Sequence, residues 1–332
     1  MPLKIKSFGD TDKGLVRAGN EDYFHIDNRN RLYIVCDGMG GHQAGEVASM
    51  MACDMIGTIF SGFKKQIQKD SDLQISQALP PSGDALVKAV RIANHAINEK
   101  SSDNPSLNGM GTTIVALTFE KDILSIAHVG DSRVYRIDEK KLTPLTIDHS
   151  WIAEIQSSQN ITEEEAAEVV GKNIITRALG VSKTVEVDYK AIKVKAGDKF
   201  MLCSDGLCGF ADDEDIFDAL IKVKDDNEKI VKNLIQLAND RGGSDNVTVM
   251  VVEVVETEAS GFEPIGLFTE PKENKTILKY QTEWVERVNN FVLDNSEDGK
   301  KKTAPSKLPM ILIFAAFIIA AIVVVYFATS GK

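Results

Sequence analysis

The chain contains few of the residues that form disulfides or bind zinc. Its 332 residues include four cysteines and five histidines. The cysteines, at positions 36, 53, 203 and 208, form neither a CxxC pair nor a zinc-type spacing with histidine. We therefore expect reduced thiols of the cytosolic kind. Cys36 and Cys203 lie within apolar strand patterns, where a thiol behaves as a small hydrophobic side chain.

Positive charge is also scarce. Lys and Arg number 38 against 49 Asp and Glu, which leaves a net charge of −11 and argues against nucleic acid as a partner. Residues 1–6 include no apolar stretch of the kind that a signal peptide needs, so no secretory signal is expected. The hydrophobic fraction of 43% and the charged fraction of 26% are ordinary for a folded soluble protein. Only local departures from this average are informative.

One segment departs from the average sharply. Residues 308–328 carry no charged side chain, and a bilayer requires about 20 apolar residues in a helix. A buried helix of this length would show a polar face, so we predict a transmembrane helix. Lysines precede it at 300, 301, 302 and 307, and the positive-inside rule then places residues 1–307 in the cytoplasm. Residues 256–307 are interpreted as a tether to this C-terminal anchor.

Elsewhere, an apolar run leads directly into an acid and several glycines. Residues 32–36 are continuously apolar, which favours a buried strand. Asp37 follows, with glycines at 38, 40 and 41, where the backbone can turn sharply or let another group approach closely. An Asp-Gly pair at the tip of a hairpin would explain this stretch equally well.

Acids recur in the same position along the chain. Asp22, Asp131, Asp205 and Asp245 also lie at turns that flank predicted strands. Each alone is a common turn residue, but their repetition predicts a carboxylate cluster. Carboxylates without thiolates suit Mg²⁺ or Mn²⁺ rather than Zn²⁺. By itself, Arg17 is consistent either with a solvated side chain or with a phosphate-binding residue.

The remaining pattern alternates strands and helices. Residues 61–82, which include a Pro-Pro pair, are predicted to be a loop, and residues 148–171 an exposed helical insertion with a capping box at 162–165. Apolar periodicity further predicts helices at 44–60, 84–100, 212–224 and 227–240, and strands at 111–119, 123–129, 134–137, 184–194, 198–203 and 246–255.

Six short motifs in this order resemble those of the metal-dependent protein phosphatases of type 2C. The resemblance covers about residues 1–255, and Met39 after Asp-Gly is typical of the bacterial branch. It implies an α+β fold, an α-β-β-α sandwich in which two central antiparallel sheets are flanked by helices, with metals at one end of the sheets. The motifs are residues 17–22, 37–41, 109–113, 130–133, 204–207 and 245–246.

The resemblance also implies roles for individual residues. Asp37, Asp205 and Asp245 would hold two Mn²⁺ or Mg²⁺ ions, with Asp37 bridging both and the Gly38 carbonyl binding one. Asp22 and Glu21 would bind through water. Asp131 would share a third, looser metal with Asp205, and Arg17 would bind the substrate phosphate.

The implied reaction is hydrolysis of phosphoserine and phosphothreonine on proteins. A hydroxide that bridges the two metals would attack phosphorus in line, without a phosphoenzyme. His42 is the nearest histidine to the site, but we expect it to be structural, with a metal-bound water protonating the leaving oxygen. The insertion at 148–172 corresponds to the family's variable flap, which would select the docking phosphoprotein.

Other functions fit the same residues. An inactive relative would bind phosphoproteins without turnover, and a related hydrolase would act on small phosphate esters or phosphodiesters. The expected partners are phosphorylated proteins, an opposing Ser/Thr kinase and a membrane, with a monomeric catalytic domain on the cytoplasmic face.

Overall fold

The computed structural model describes residues 3–40, 44–67, 79–159, 174–223, 226–261 and 268–269. All of them belong to one compact unit, Met1–Glu286. Across these ranges, no helix is long and apolar enough to cross a membrane. Four predicted features lie outside the described residues: His42, the capping box at 162–165, most of the tether and the transmembrane segment at 308–328.

The described chain forms twelve strands and six α-helices, with a 3-10 turn at Pro105–Leu107. The strands are β1 (Lys4–Asp12), β2 (Asp22–Asp27), β3 (Leu32–Met39), β4 (Gly111–Thr112), β5 (Ile114–Glu120), β6 (Ile123–Val129), β7 (Arg133–Ile137), β8 (Leu142–Pro144), β9 (Asp188–Lys193), β10 (Lys199–Cys203), β11 (Val247–Glu256) and β12 (Phe268–Thr269). The helices are α1 (Ala44–Ile67), α2 (Pro81–Asp103), α3 (Trp151–Gln159), α4 (Asp205–Cys208), α5 (Asp213–Ile221) and α6 (Asn227–Asp240).

The strands form two antiparallel sheets, as predicted. The five-stranded sheet has the order β1-β11-β10-β7-β8. The seven-stranded sheet has the order β12-β9-β6-β5-β3-β2, and β4 pairs with β3. Helices α1 and α2 pack against the seven-stranded sheet, and α6 packs against β11 and β1 of the other sheet. The predicted arrangement of two central sheets flanked by helices is therefore confirmed.

The main core lies between the two sheets. Tyr33 and Val35 of β3 pack there with Phe200 and Leu202 of β10 and with Val252 of β11. Alternation along a strand then directs the intervening residues of β3 toward the helix layer. Since both faces of β3 are buried, the continuous apolar run at 32–36 is explained.

The predicted loop at 61–82 is wrong at both ends. Helix α1 continues to Ile67, because an established helix propagates through polar residues that lack apolar periodicity. Helix α2 begins at Pro81, with Pro80 in extended conformation at its N-cap. Proline is tolerated in the first helical turn, so the Pro-Pro pair starts the helix.

Strand β9, the segment after residue 256 and the cysteines also bear on predictions made from the sequence. The strand expected at 184–194 is shorter, Asp188–Lys193. Beyond residue 256, β12 pairs with β9 at the edge of the seven-stranded sheet, so part of the segment interpreted as a tether joins the fold. All four cysteines are free in the structure.

Candidate active site

The first two acids of the site face each other across two paired strands. Asp22, the first residue of β2, is the register partner of Asp37 near the end of β3. Glycine is required after Asp37 because a Cβ on Gly38 would lie 2.2 Å from the Gly45 carbonyl oxygen and 2.5 Å from that of Glu21. The chain can therefore pass close to the N-terminus of α1 only if residue 38 lacks a side chain.

The other three acids converge on the same end of the sheets. Asp131 follows β6, Asp205 is the first residue of α4, and Asp245 precedes β11. Their carboxyl groups influence one another and those of Asp22 and Asp37 electrostatically. We call Asp22, Asp37, Asp131, Asp205 and Asp245 the acid cluster.

The carboxyl groups of Asp37 and Asp205 lie close enough to share a proton. Burial raises the pKa of Asp37 well above its ordinary value, and the charges of Asp22 and Asp205 raise it further. Burial also raises the pKa of Asp205. Two half-buried carboxyl groups this close favour either a shared proton or a cation between them.

Asp22 is almost fully buried and held by two hydroxyl groups. Ser204 Oγ and Thr248 Oγ1 each donate to Asp22 Oδ2 at 2.7 Å. Burial raises the pKa of Asp22 to about 7, against the lowering effect of these two bonds. The bonds engage one carboxylate oxygen, Oδ2, on the side of the five-stranded sheet.

Asp131 is 7% exposed, and its Oδ1 atom has no hydrogen-bond partner among the described residues. Burial, followed by the charges of Asp205 and Asp148, raises its pKa to about 7. A buried carboxylate oxygen without a donor is costly unless it has a ligand. The orphaned oxygen of Asp131 and the oxygen-only donor set of the acid cluster therefore fit hard divalent cations.

Arg17 lies at the rim of this cluster, with its side chain 49% exposed. Its Nη2 atom is 2.7 Å from Asp245 Oδ2, and its Nε donates to the Ser244 carbonyl at 3.4 Å. The structure thus joins Arg17 to an acid of the cluster, which a solvated side chain would not require.

Glu21 contributes its backbone as well as its side chain. Its carbonyl oxygen accepts from Gly38 N at 3.1 Å and from Ser49 Oγ at 2.5 Å. Burial raises the pKa of its carboxyl group, while Arg17 lowers it. Both predicted residues, Glu21 and Gly38, therefore lie beside Asp37.

Two residues of the sequence motifs, Thr113 and Asn246, support the site although no role is predicted for them. Thr113 Oγ1 accepts from Asp37 N at 3.1 Å, and Thr113 N donates to Asp37 O at 2.8 Å. Asn246 Nδ2 donates to the carbonyls of Lys13 and Gly19, while its Oδ1 accepts from Glu21 N at 2.8 Å. In the sequence, only their positions directly beside predicted acids or strands could have indicated these supporting roles.

A cavity of about 320 Å³ opens beside the acid cluster. Its lining includes Asp131 and Asp205 as well as Asp148, Ser150 and Ile152 at the start of the predicted flap. An extended ligand could therefore contact the acids and the flap base together.

Comparisons with known proteins agree with this geometry. Residues 16–251 match the family described as Protein phosphatase 2C. The chain is 38% identical over 266 residues to the serine/threonine protein phosphatase PstP of Mycobacterium tuberculosis (strain CDC 1551 / Oshkosh), covering 79% of this chain and 48% of that protein. It therefore spans about half of that relative's length.

One further relative and one catalytic-domain structure are covered almost completely. The serine/threonine phosphatase stp of Listeria welshimeri is 37% identical, with 73% of this chain and 93% of that protein covered. A crystal structure of the catalytic domain of the serine threonine protein phosphatase PstP in complex with two manganese ions superposes with a TM-score of 0.64. That comparison has 35% identity and covers 76% of this chain and 100% of the other.

Proposed function

Because this chain belongs to the protein phosphatase 2C family, we propose that it hydrolyses phosphoserine and phosphothreonine on proteins in a metal-dependent reaction. The observation that carries the proposal is the closely spaced pair of half-buried acids, Asp37 and Asp205, in a cluster with an arginine at its rim. Such a pair provides oxygen ligands for divalent cations, and the arginine provides a phosphate-binding group.

The residues that would hold two Mn²⁺ or Mg²⁺ ions are Asp37, Asp205 and Asp245, together with the Gly38 carbonyl. Asp131 and Asp205 would hold a third, and the unpartnered Oδ1 of Asp131 supports this assignment. When bound, the ions supply Lewis-acid catalysis, acidifying a water and neutralising charge on the phosphoryl oxygens. The manganese ions in the PstP crystal structure support the choice of metal.

The protein's own groups bind and orient the reactants. Arg17 has five N–H donors in a planar fork, so it can bind phosphate oxygens while it keeps its contact with Asp245. Asp22 Oδ1 and the Glu21 carboxyl group orient water at the edge of the acid cluster. Thr113 holds the Asp37 backbone on both sides, which fixes this acid before substrate arrives.

The substrates are phosphorylated proteins, and the cavity beside Asp131 provides room for residues that flank the phosphorylated side chain. An opposing Ser/Thr kinase would supply these substrates, since a monoester phosphatase consumes the product of a kinase. The catalytic domain acts as a monomer.

The membrane anchor is part of the proposal. The uncharged stretch at 308–328 and the four lysines that precede it support a single C-terminal helix with the catalytic domain on the cytoplasmic side. Tethering would confine the enzyme to substrates near the membrane and raise their effective concentration.

The decisive experiment measures phosphate release from a phosphothreonine peptide by metal-depleted protein with and without Mn²⁺. We expect turnover only with Mn²⁺, and a loss of more than about 100-fold in Asp205→Asn, because a direct ligand should matter more than an outer-shell partner. A folded, metal-replete protein without turnover would indicate an inactive phosphoprotein-binding relative. Faster hydrolysis of nucleotides or phosphodiesters than of the peptide would instead favour a small phosphate-ester hydrolase.

A further inference from the structure

A second group of polar residues lies outside the acid cluster, between β6, β9 and the base of the flap. His128, at the end of β6, is the register partner of Asp188 on β9. The ring of His149, from the start of the flap, lies 4.5 Å from that of His128, centroid to centroid. Arg177, where the described chain returns from the flap, donates to Asp188 Oδ1 at 2.8 Å. The proposed reaction uses none of these four residues.

The group resembles a metal site, because ligand atoms of His128, His149 and Asp188 lie within 4.8 Å of one another. Arg177 already provides the positive charge, however. Its Nη1 is 3.1 Å from His149 Nε2 as well as 2.8 Å from Asp188 Oδ1, and a divalent cation in this position would face an adjacent guanidinium. Burial alone would raise the pKa of Asp188. The hydrogen bonds from His149 and Arg177 outweigh this effect and lower the pKa to about 2.

The hydrogen bonds of His149 define which of its ring nitrogens is the acceptor. Its Nδ1 atom accepts from Gly130 N at 3.0 Å, so Nδ1 carries a lone pair. The ring proton of the neutral form then lies on Nε2, which faces Asp188 Oδ2 at 3.3 Å. The Asp188 carboxylate therefore favours the tautomer in which Nδ1 can accept from Gly130, and Arg177 holds that carboxylate in place by donating to its Oδ1 at 2.8 Å.

His149 holds Gly130 through its backbone as well, since His149 N donates to Gly130 O at 2.8 Å. Gly130 has a φ of +111°, and a Cβ there would lie 2.6 Å from the Thr113 side chain. Only glycine suits this position. The turn that precedes Asp131 is therefore held between His149 on one side and Thr113, which supports Asp37, on the other.

The neighbouring residue holds the other end of the same turn. Asp148 accepts two hydrogen bonds from Arg133 Nε, at 2.9 and 3.1 Å, and one from Arg133 Nη2 at 2.7 Å. Asp131 lies between these two attachments. Since no described residue donates to its Oδ1, the orientation of that oxygen depends on the backbone of the turn.

We propose that His149 is a positioning residue that, through Gly130, holds Asp131 in place to bind the third, weakest metal of the acid cluster. This inference rests on the proposed function for the identity of the metal. It assigns to the base of the flap an effect on metal affinity that passes through Gly130, and it gives Asp188, held by Arg177, the role of fixing the His149 ring.

Two substitutions separate the two ring nitrogens. The amide oxygen of asparagine can take the place of Nδ1 and accept from Gly130, whereas that of glutamine reaches the position of Nε2. We therefore expect His149→Asn to preserve Mn²⁺ binding within about threefold. His149→Gln should weaken the weakest Mn²⁺ binding step by about tenfold or more, the usual effect of losing an outer-shell partner, and leave the tighter steps unchanged.

The measurement is calorimetric titration of metal-free, full-length protein in detergent with MnCl₂, after a thermal melt confirms that each variant folds. Calorimetry requires no turnover, so failure of the proposed activity would not be mistaken for failure of this inference. The matched control is His95→Gln on α2, where the ring Nε2 lies 3.1 Å from Glu99 Oε1. If His149→Gln does not fold, His149→Leu replaces it, because leucine also lacks the acceptor for Gly130.

A double-variant cycle tests whether the effect passes through Asp131. In an Asp131→Asn background, His149→Gln should cause no further loss of Mn²⁺ affinity. A further loss there, or equal effects of the Asn and Gln variants in the wild-type background, would overturn the proposal. So would tight binding of one Zn²⁺ that both His128→Ala and His149→Asn abolish, since the group would then be a metal site itself.

Discussion

Asp22 and Asp37 lie directly opposite each other on β2 and β3, as register partners of one antiparallel ladder. The charge of Asp22 raises the pKa of Asp37 beyond the effect of burial. Like charges opposite one another destabilise a sheet, so this end of the protein is stable only when a proton or a cation compensates them. The relationship connects the fold to the proposed metal binding.

Without metal, the protein should lose stability as the pH rises. Asp22 and Asp131 have pKa values near 7 in the folded state, above the ordinary value of 3.8. The folded state therefore binds more protons than the unfolded state between these values, and the free energy of unfolding should fall from about pH 4 to pH 7. We expect a fall of more than about 1.4 kcal/mol, the equivalent of one pKa unit, in urea titrations with EDTA.

Saturating Mn²⁺ should reverse this trend, because metal binding requires deprotonated carboxylates. The same urea titrations at pH 5, 6, 7 and 8 with Mn²⁺ provide the control. Stability in EDTA that stayed constant or rose over this range would contradict the predicted protonation of the acid cluster.

Arg17→Lys should weaken the use of phosphopeptide substrates. Lysine retains the charge but cannot place two parallel N–H groups on a phosphate. Hydrogen bonds to charged groups contribute about 1.5–3 kcal/mol, so kcat/KM should fall roughly tenfold to hundredfold. Steady-state kinetics with a phosphothreonine peptide measures the change. Arg29→Lys, in the exposed turn between β2 and β3, is the matched control, and a twofold or smaller effect at Arg17 would exclude its assigned role.

Thr248→Val should destabilise the protein in a pH-dependent way. The substitution removes the 2.7 Å hydrogen bond that Thr248 Oγ1 donates to Oδ2 of the buried Asp22. This bond stabilises the charged carboxylate, so its loss should cost roughly 1–3 kcal/mol at pH 8 and less at pH 5, where Asp22 is protonated. Urea unfolding in EDTA at both pH values provides the measurement.

The control for that substitution is Thr143→Val on β8. The hydroxyl group of Thr143 has no hydrogen-bond partner among the described residues, so its removal should change the free energy of unfolding by no more than about 0.5 kcal/mol. Equal losses at the two positions would show that the Asp22 bond is not responsible.

Removal of residues 308–332 should release the enzyme from membranes. Full-length protein should sediment with membranes in ultracentrifugation, whereas a chain that ends at residue 307 should stay in the supernatant with unchanged kcat on a soluble peptide. Full-length protein in the supernatant would refute the anchor, and an inactive or insoluble truncated chain would show that the tail belongs to the catalytic fold.

Much of the fold could be predicted because the signal is local. The continuous apolar run at 32–36 predicts a strand that is buried on both faces, and β3 is such a strand. The positions of Asp37, Asp131 and Asp205 at strand ends are equally visible in the sequence. The end of α1 was predicted incorrectly because apolar periodicity marks the buried face of a helix and not its length.

The supporting contacts of the site could not be predicted from local patterns. Ser204 and Thr248 reach Asp22 across 182 and 226 residues of the chain. His149 reaches Gly130 only because the base of the flap returns to the end of β6. Polar side chains of these types are common at turns and caps, so nothing in their immediate neighbours distinguishes them.

By itself, the sequence determined which segments are strands and helices, and where along them the acids lie. It did so because hydrophobic periodicity and turn residues act over a few neighbouring positions. Only the tertiary structure decided that Asp22 faces Asp37, that Arg17 pairs with Asp245, and that His149 supports the turn of Asp131. These relationships depend on strand register and on the packing of distant segments, and a shift of one residue in register would separate them.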